Sequence, residues 1–221
     1  MDNPLYELWH EVYKDAELVF GRHYRWPDDE IPGRLGSRII QGFTLMKQAQ
    51  HQYAWAIPDE AAIKLLVTHS PIVEIGAGRG YWASLVQAAG GDVVCYDEHP
   101  PDRSAENIWC PPDGVRTPFE TVAKIDIPVF TEILPGGPES VLEHQDRSLF
   151  LCWPPMSEMA YEAVTNYTGD TVVYVGEGPG GCTADDAFFE HMEKHFEEEY
   201  RPLPFWEGLN DGLTVFTRKT R

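Results

Sequence analysis

Apolar and polar positions along this chain change their period part-way. From about Leu5 to Phe20 and from about Arg34 to Tyr53, apolar side chains recur at helical spacing. The stretch Trp26-Pro27-Asp28-Asp29-Glu30-Ile31-Pro32-Gly33 between them is rich in helix breakers, so the pattern predicts a helical cap over residues 1 to about 57. Pro58 at a first helical turn, with Asp59 and Glu60 near the positive helix end, predicts a further helix through about Thr68.

Short unbroken apolar runs then alternate with amphipathic stretches. Ile72 to Ile75, a helix from about Tyr81 to Ala89, the break Gly90-Gly91 and the run Val93-Val94-Cys95-Tyr96 ending at Asp97 make one βαβ unit. Ser148 to Cys152 and Thr171 to Val175 read as buried strands, with a helix from Met156 to Tyr167 between them. Thr183, with Asp186 in a capping-box-like position, predicts a helix to about Tyr200. Leu203 to Arg218 holds two extended candidates around the hairpin turn Asn210-Asp211-Gly212. From Glu98 to Asp146 prolines and glycines interrupt every pattern, and only Pro128 to Ile133 reads as a short strand. This rhythm predicts an α/β fold on a doubly wound, mainly parallel sheet, built as one domain of 221 residues with a cap (1–57) and a core (58–221).

Composition narrows the partners. With 17 basic and 36 acidic side chains the formal charge is -19, which opposes a broad sequence-independent grip on nucleic acid. Arg22, Arg25, Arg34 and Arg38 cluster near the N-terminus and are read as partners of the surrounding acids. No run approaches the roughly 20 apolar residues needed to span a bilayer, and Met1-Asp2-Asn3-Pro4 has no secretion-signal pattern, so no membrane partner and a cytoplasmic location are expected. Cys95, Cys110, Cys152 and Cys182 contain no Cys-x-x-Cys pair and are read as reduced thiols, with no metal site. His191 and His195 have helical i, i+4 spacing, but Met192 follows His191, so the metalloprotease pattern fails.

The chemistry concentrates in Glu74-Ile75-Gly76-Ala77-Gly78-Arg79-Gly80-Tyr81, where a strand runs through alternate glycines into a helix. Residues without a Cβ let the backbone approach a ligand and expose amides at the helix start, which suits a nucleoside cofactor. A dinucleotide fingerprint would place its third glycine at Tyr81, whose ring hinders pyrophosphate approach. The pattern Glu74, Gly76, Gly78, Gly80, followed by Asp97 at the next strand end, resembles class I S-adenosylmethionine-dependent methyltransferases over roughly Ala56 to Thr217. The resemblance implies a seven-stranded Rossmann-like methyltransferase fold and S-adenosylmethionine as cofactor. By it, Gly76, Ala77, Gly78, Gly80 and Tyr81 would pass the methionine part, Glu74 would help hold its amino group, and Asp97, with Glu98 beside it, would receive the ribose hydroxyls.

A second motif, Leu151-Cys152-Trp153-Pro154-Pro155-Met156, leaves the next central strand at the edge where open α/β sheets bind ligands. It resembles the fourth motif of amino-group methyltransferases and the Cys-Trp-Pro-Pro signature of an uncharacterised methyltransferase-like group. Those amino-group enzymes carry Asp, Asn or Ser where this chain has Trp153, and an indole donates but cannot accept. Trp153, Pro154, Pro155 and Met156 are therefore read as an acceptor-pocket wall, with Trp153 as a stacking group and Cys152 as a thiol at the cofactor's edge; Cys152 is not in the Pro-Cys order of a cytosine C5 nucleophile. Glu177, in Gly176-Glu177-Gly178-Pro179-Gly180-Gly181, is the best-placed acid or base. Tyr53 and Trp55 are candidates to shield a sulfonium through cation–π contact, or to pack in the core.

The function expected is methyl transfer from S-adenosylmethionine to a small uncharged or cationic acceptor. A nucleic-acid base methyltransferase and a non-catalytic cofactor-binding protein stay open beside it.

Overall fold

A computed structural model describes residues 2–13, 46–47, 49–50, 52–100, 128–206 and 208–220. Most of the second cap helix, its breaker-rich linker, the four N-terminal arginines and Cys110 lie outside the described residues. The elements are α1 (Pro4–Tyr13), α2 (Glu60–Thr68), β1 (Ile72–Ile75), α3 (Tyr81–Ala88), β2 (Val93–Asp97), β3 (Leu134–Pro135), a 3-10 turn (Pro138–Glu143), β4 (Ser148–Cys152), α4 (Met159–Asn166), β5 (Thr171–Gly176), α5 (Asp186–His195), β6 (Phe196–Pro202) and β7 (Gly212–Arg218).

The strands form one seven-stranded mixed sheet in the order β3-β2-β1-β4-β5-β7-β6. β1, β2, β3, β4 and β5 pair in parallel, whereas β7 runs antiparallel to both β5 and β6. The chain order reverses between β1 and β4, a switch point where strand ends diverge and leave a crevice.

Neighbouring positions on one strand feed opposite cores, as strand geometry requires. Val173 and Val175 join Leu5, Ile57, Ile63, Leu66 and Trp82 on one face, while Val172 and Tyr174 join Val164, Phe188 and Met192 on the other. Helices α1, α2 and α3 thus cover one face, and α4 and α5 the other. The mainly parallel α/β sheet expected from the sequence is present and Rossmann-like. Of the cap, α1 is described, and it is tied to the body by Asn3 Nδ2 donating to the Pro58 carbonyl at 2.7 Å.

Several boundaries differ from the sequence reading. Pro58 precedes the α2 cap; Asp59 is the N-cap, its side chain accepting the Ala62 amide. The α5 cap is Asp185, which accepts the Phe188 amide, while the Thr183 hydroxyl turns to Tyr174 and Glu177. That helix stops at His195 instead of reaching Tyr200, because Phe196 to Pro202 pair along the whole of β7. β6 ends at Pro202 and β7 begins at Gly212, so Asn210-Asp211-Gly212 leads into β7 from well beyond the end of β6 and is no tight hairpin turn. The helix expected over Met156 to Tyr167 is shortened to Met159–Asn166, and Pro128 to Ile133 form no strand; the edge strand is Leu134–Pro135.

Candidate functional site

Gly76, Gly78 and Gly80 adopt φ values of 75°, 56° and 71°, the left-handed region that favours glycine. This shape turns the chain from β1 into α3, with Gly76 and Ala77 donating their amides to the Tyr96 carbonyl. The glycines face different surroundings. A Cβ on Gly76 would overlap the Met159 methyl, and one on Gly80 would lie 2.5 Å from Thr131 Cγ2 and 2.8 Å from Ile133 Cδ1. At Gly78 nothing among the described residues lies within 4 Å, so among them this glycine alone of the three presents an open face.

Asp97, at the end of β2, fixes that open glycine. Its Oδ2 accepts the Gly78 amide at 2.8 Å and its Oδ1 accepts the His99 amide at 2.9 Å. Each oxygen keeps a lone pair for a further donor. Beside it, Glu98 and Met159 help line a cavity of about 640 Å³, within the usual range for small-ligand sites. Glu98, Glu139, Glu158 and Glu162 are among its lining residues, and none of the described lining residues is basic.

Glu74 is buried beneath the turn, 2 % exposed, and burial pushes its carboxyl up to about 8. The Cys95 thiol approaches its Oε2 at 3.8 Å, and Asp97 raises the carboxyl further. Cys152 is likewise driven upward, first by burial and then by Glu74 and Asp211, so it is a protonated thiol and no nucleophile.

On the other side of the switch point, Trp153 has φ 53°, a left-handed conformation that costs a bulky residue about 1–3 kcal/mol. Three contacts hold it. Its amide donates to the Val175 carbonyl at 2.7 Å, its indole Nε1 donates to Asp211 Oδ1 at 2.7 Å, and its ring stacks on Trp55 at 4.7 Å and 15°. The Lys47 ammonium lies 5.4 Å from the Trp55 ring centre. Pro154 is buried and its carbonyl accepts the Ala184 amide, whereas Pro155 and Met156 are exposed.

Tyr53 packs against Tyr81 and Phe130, and the Tyr81 hydroxyl donates to Asn3 Oδ1 while accepting the Leu5 amide. The side chain of Tyr81 therefore anchors α1 within the core. Glu177 is also turned to structure: its Oε2 accepts the Cys182 amide at 2.7 Å and its Oε1 accepts the Asn210 amide at 2.8 Å, tying two loops together.

Sequence reasoning missed Asp211. Because β7 runs antiparallel, its first residue lies at the edge where β4 and β5 end, with Gly176 paired to Gly212. Asp211 is 1 % exposed, its Oδ2 has no hydrogen-bond partner among the described residues, and burial, with Glu177 adding to it, pushes its carboxyl up to about 7. The available signal was an acid at the start of the last strand; it reads as a turn residue until the strand direction is known.

No family model and no curated protein matches the sequence. Solved structures similar to the chain include the magnesium protoporphyrin IX methyltransferase ChlM of Synechocystis PCC 6803 with bound S-adenosylmethionine, at 9% identity over 96% of this chain and 90% of that one, TM-score 0.41. An O-methyltransferase of Bacillus cereus in complex with S-adenosylhomocysteine is 13% identical over 96% of this chain and 99% of that one, TM-score 0.44. The 1,6-didemethyltoxoflavin N1-methyltransferase of Burkholderia thailandensis, bound to its substrate and S-adenosylhomocysteine, is 15% identical over 89% of this chain and 94% of that one, TM-score 0.44. With these scores all below 0.5, the functional reading rests on this chain's own residues.

Proposed function

We propose that this protein binds S-adenosylmethionine and transfers its methyl group to a small acceptor. The observation that carries the reading is the left-handed glycine turn whose Gly78 amide is held on Asp97 Oδ2 at the switch point, with Glu98, the residue after Asp97, and Met159, packed on Gly76, both lining a cavity. A dinucleotide brings a pyrophosphate, which four lining glutamates disfavour where no described lining residue is basic. A nucleoside bearing a sulfonium and an ammonium is attracted by the same glutamates.

The residues fit such a ligand. Asp97 has lone pairs left for vicinal hydroxyls, and its existing bonds to Gly78 and His99 fix their direction. Glu74 lies under the turn, where an approaching ammonium would favour its ionised form. The Met159 methyl covers Gly76 and has to swing aside, which an unbranched thioether allows. The cofactor supplies an already electrophilic methyl, so the protein's task is alignment and water exclusion.

Trp153 spends its single indole donor on Asp211 and has no side-chain acceptor to offer an amino group, which favours a small-molecule acceptor over a nucleobase amine. Isothermal titration with S-adenosylmethionine, S-adenosylhomocysteine and NADH tests the reading. Saturable binding of the first two, with no heat from NADH, is expected; absence of heat with both adenosyl ligands overturns it.

A further inference from the structure

Apart from the cavity-lining glutamates, the described residues bring Asp97, Glu177, Glu74 and Asp211 to the edge where the parallel strands end, and three of these four are partnered. Asp97 holds the Gly78 and His99 amides, Glu177 holds the Cys182 and Asn210 amides, and Glu74 lies beneath the glycine turn with Cys95. Asp211 is the one of these four with a buried oxygen that has no hydrogen-bond partner among the described residues. A buried carboxylate oxygen without a partner is costly unless it serves something, and unsatisfied groups of this kind call for a functional explanation.

The surroundings of Asp211 favour a role in proton transfer. Its Oδ1 receives the indole of Trp153, a residue kept in a left-handed backbone conformation at the start of the proposed acceptor wall. Strain held in place by neighbouring contacts is characteristic of sites that position reactants. The titratable groups bearing on Asp211 are Glu177 from the loop after β5, Cys152 at the end of β4, Tyr174 within β5 and Cys182. Burial dominates its titration, Glu177 raises it and the Trp153 indole lowers it, leaving it poised near neutral pH.

We propose that Asp211 Oδ2 accepts the proton released when a neutral O–H or N–H acceptor is methylated, a role that rests on the methyltransferase reading above. The acceptor's lone pair forms the bond to the methyl carbon. The carbon–sulfur bond breaks with its electron pair passing to sulfur, the acceptor's proton moves to Asp211 Oδ2, and solvent then takes it from there. Asp211 is buried and holds the indole of Trp153, itself stacked on Trp55, so the role requires the acceptor to reach Oδ2 by displacing part of that packing.

The test combines a label with a conservative variant. Dicyclohexylcarbodiimide, which reacts with protonated carboxyls in apolar surroundings, is expected to modify Asp211, read by peptide mass. With a carboxyl near 7, labelling should be about tenfold slower at pH 8 than at pH 6. Asp211→Asn keeps an oxygen to accept the Trp153 indole; it should bind S-adenosylmethionine within about twofold of wild type yet methylate about 100-fold more slowly whichever of a panel of phenols, catechols and amines the wild type accepts. No adduct at Asp211, a variant that methylates at the wild-type rate, or a wild type that binds S-adenosylmethionine and methylates none of the panel overturns the proposal. A wild-type protein that is labelled at Asp211 but binds no S-adenosylmethionine overturns the methyltransferase reading itself, and the role with it.

Discussion

Met159 places its terminal methyl where a Cβ on residue 76 would stand. Gly76 is therefore needed twice, for its φ of 75° and for the space that the first residue of α4 fills. Gly76→Ala is expected to destabilise the fold by about 2–3 kcal/mol, combining left-handed strain with overpacking. Met159→Ala on its own should cost about 1–2 kcal/mol for a partly buried methionine. In the double variant the overlap is gone, so the losses should fall short of their sum by about 1 kcal/mol, measured by urea unfolding.

The Asp97 carboxylate holds the turn from the opposite side. Asp97→Ala releases the amides of Gly78 and His99, and hydrogen bonds to a charged group are worth about 1.5–3 kcal/mol. The expected result is a fall of at least about tenfold in S-adenosylmethionine affinity by calorimetry, with the sheet retained in circular dichroism. Asp97→Asn, which keeps one acceptor oxygen, should fall between wild type and Ala.

How far the site could be read in advance follows from what each signal depends on. Glu74, the glycines and Asp97 lie within one βαβ unit, so local spacing sufficed to bring them together. Asp211 and Trp153 are 58 residues apart and meet through the antiparallel return of β7, a tertiary fact that no local pattern carries. The same pairing converted Phe196 to Pro202 from an expected helix end into an edge strand, because its run of exposed glutamates suits either state and the β7 ladder decides. The sequence marks Glu177 as the best-placed acid or base; the backbone amides of Cys182 and Asn210 that its two oxygens accept could not be foreseen from a glycine-rich loop.

Burial of Glu74 makes stability depend on pH. Its carboxyl sits near 8 in the folded protein, well above an unfolded glutamate, so the native state binds more protons between those values. The associated stability is present in full below the unfolded value and is lost as pH rises through about 8, a change of several kcal/mol. Asp211, near 7, acts in the same direction. Melting temperature should therefore fall from pH 5 to pH 8.5, and Glu74→Gln should flatten much of that slope. A cation bound beside Glu74 would displace its proton, so S-adenosylmethionine affinity should rise from pH 6 to pH 8 in wild type and change less in the variant.

Asp59 separates stability from binding. Its Oδ1 caps α2 through the Ala62 amide, while both oxygens receive the Arg201 guanidinium of β6 at 2.9 and 2.8 Å. Asn caps as well as Asp but lacks the charge, so Asp59→Asn isolates the ion pair and should cost about 1 kcal/mol at this partly buried position. Asp59→Ala removes cap and pair together, for about 2–3 kcal/mol. Arg201→Ala should resemble Asp59→Asn, and combining the two should add little, since either change breaks the same contact. The pair clamps α2 to the edge strand, away from the glycine turn and Asp97. Cofactor affinity measured below the unfolding transition should accordingly match wild type in all of these variants, in contrast to the Asp97 substitutions.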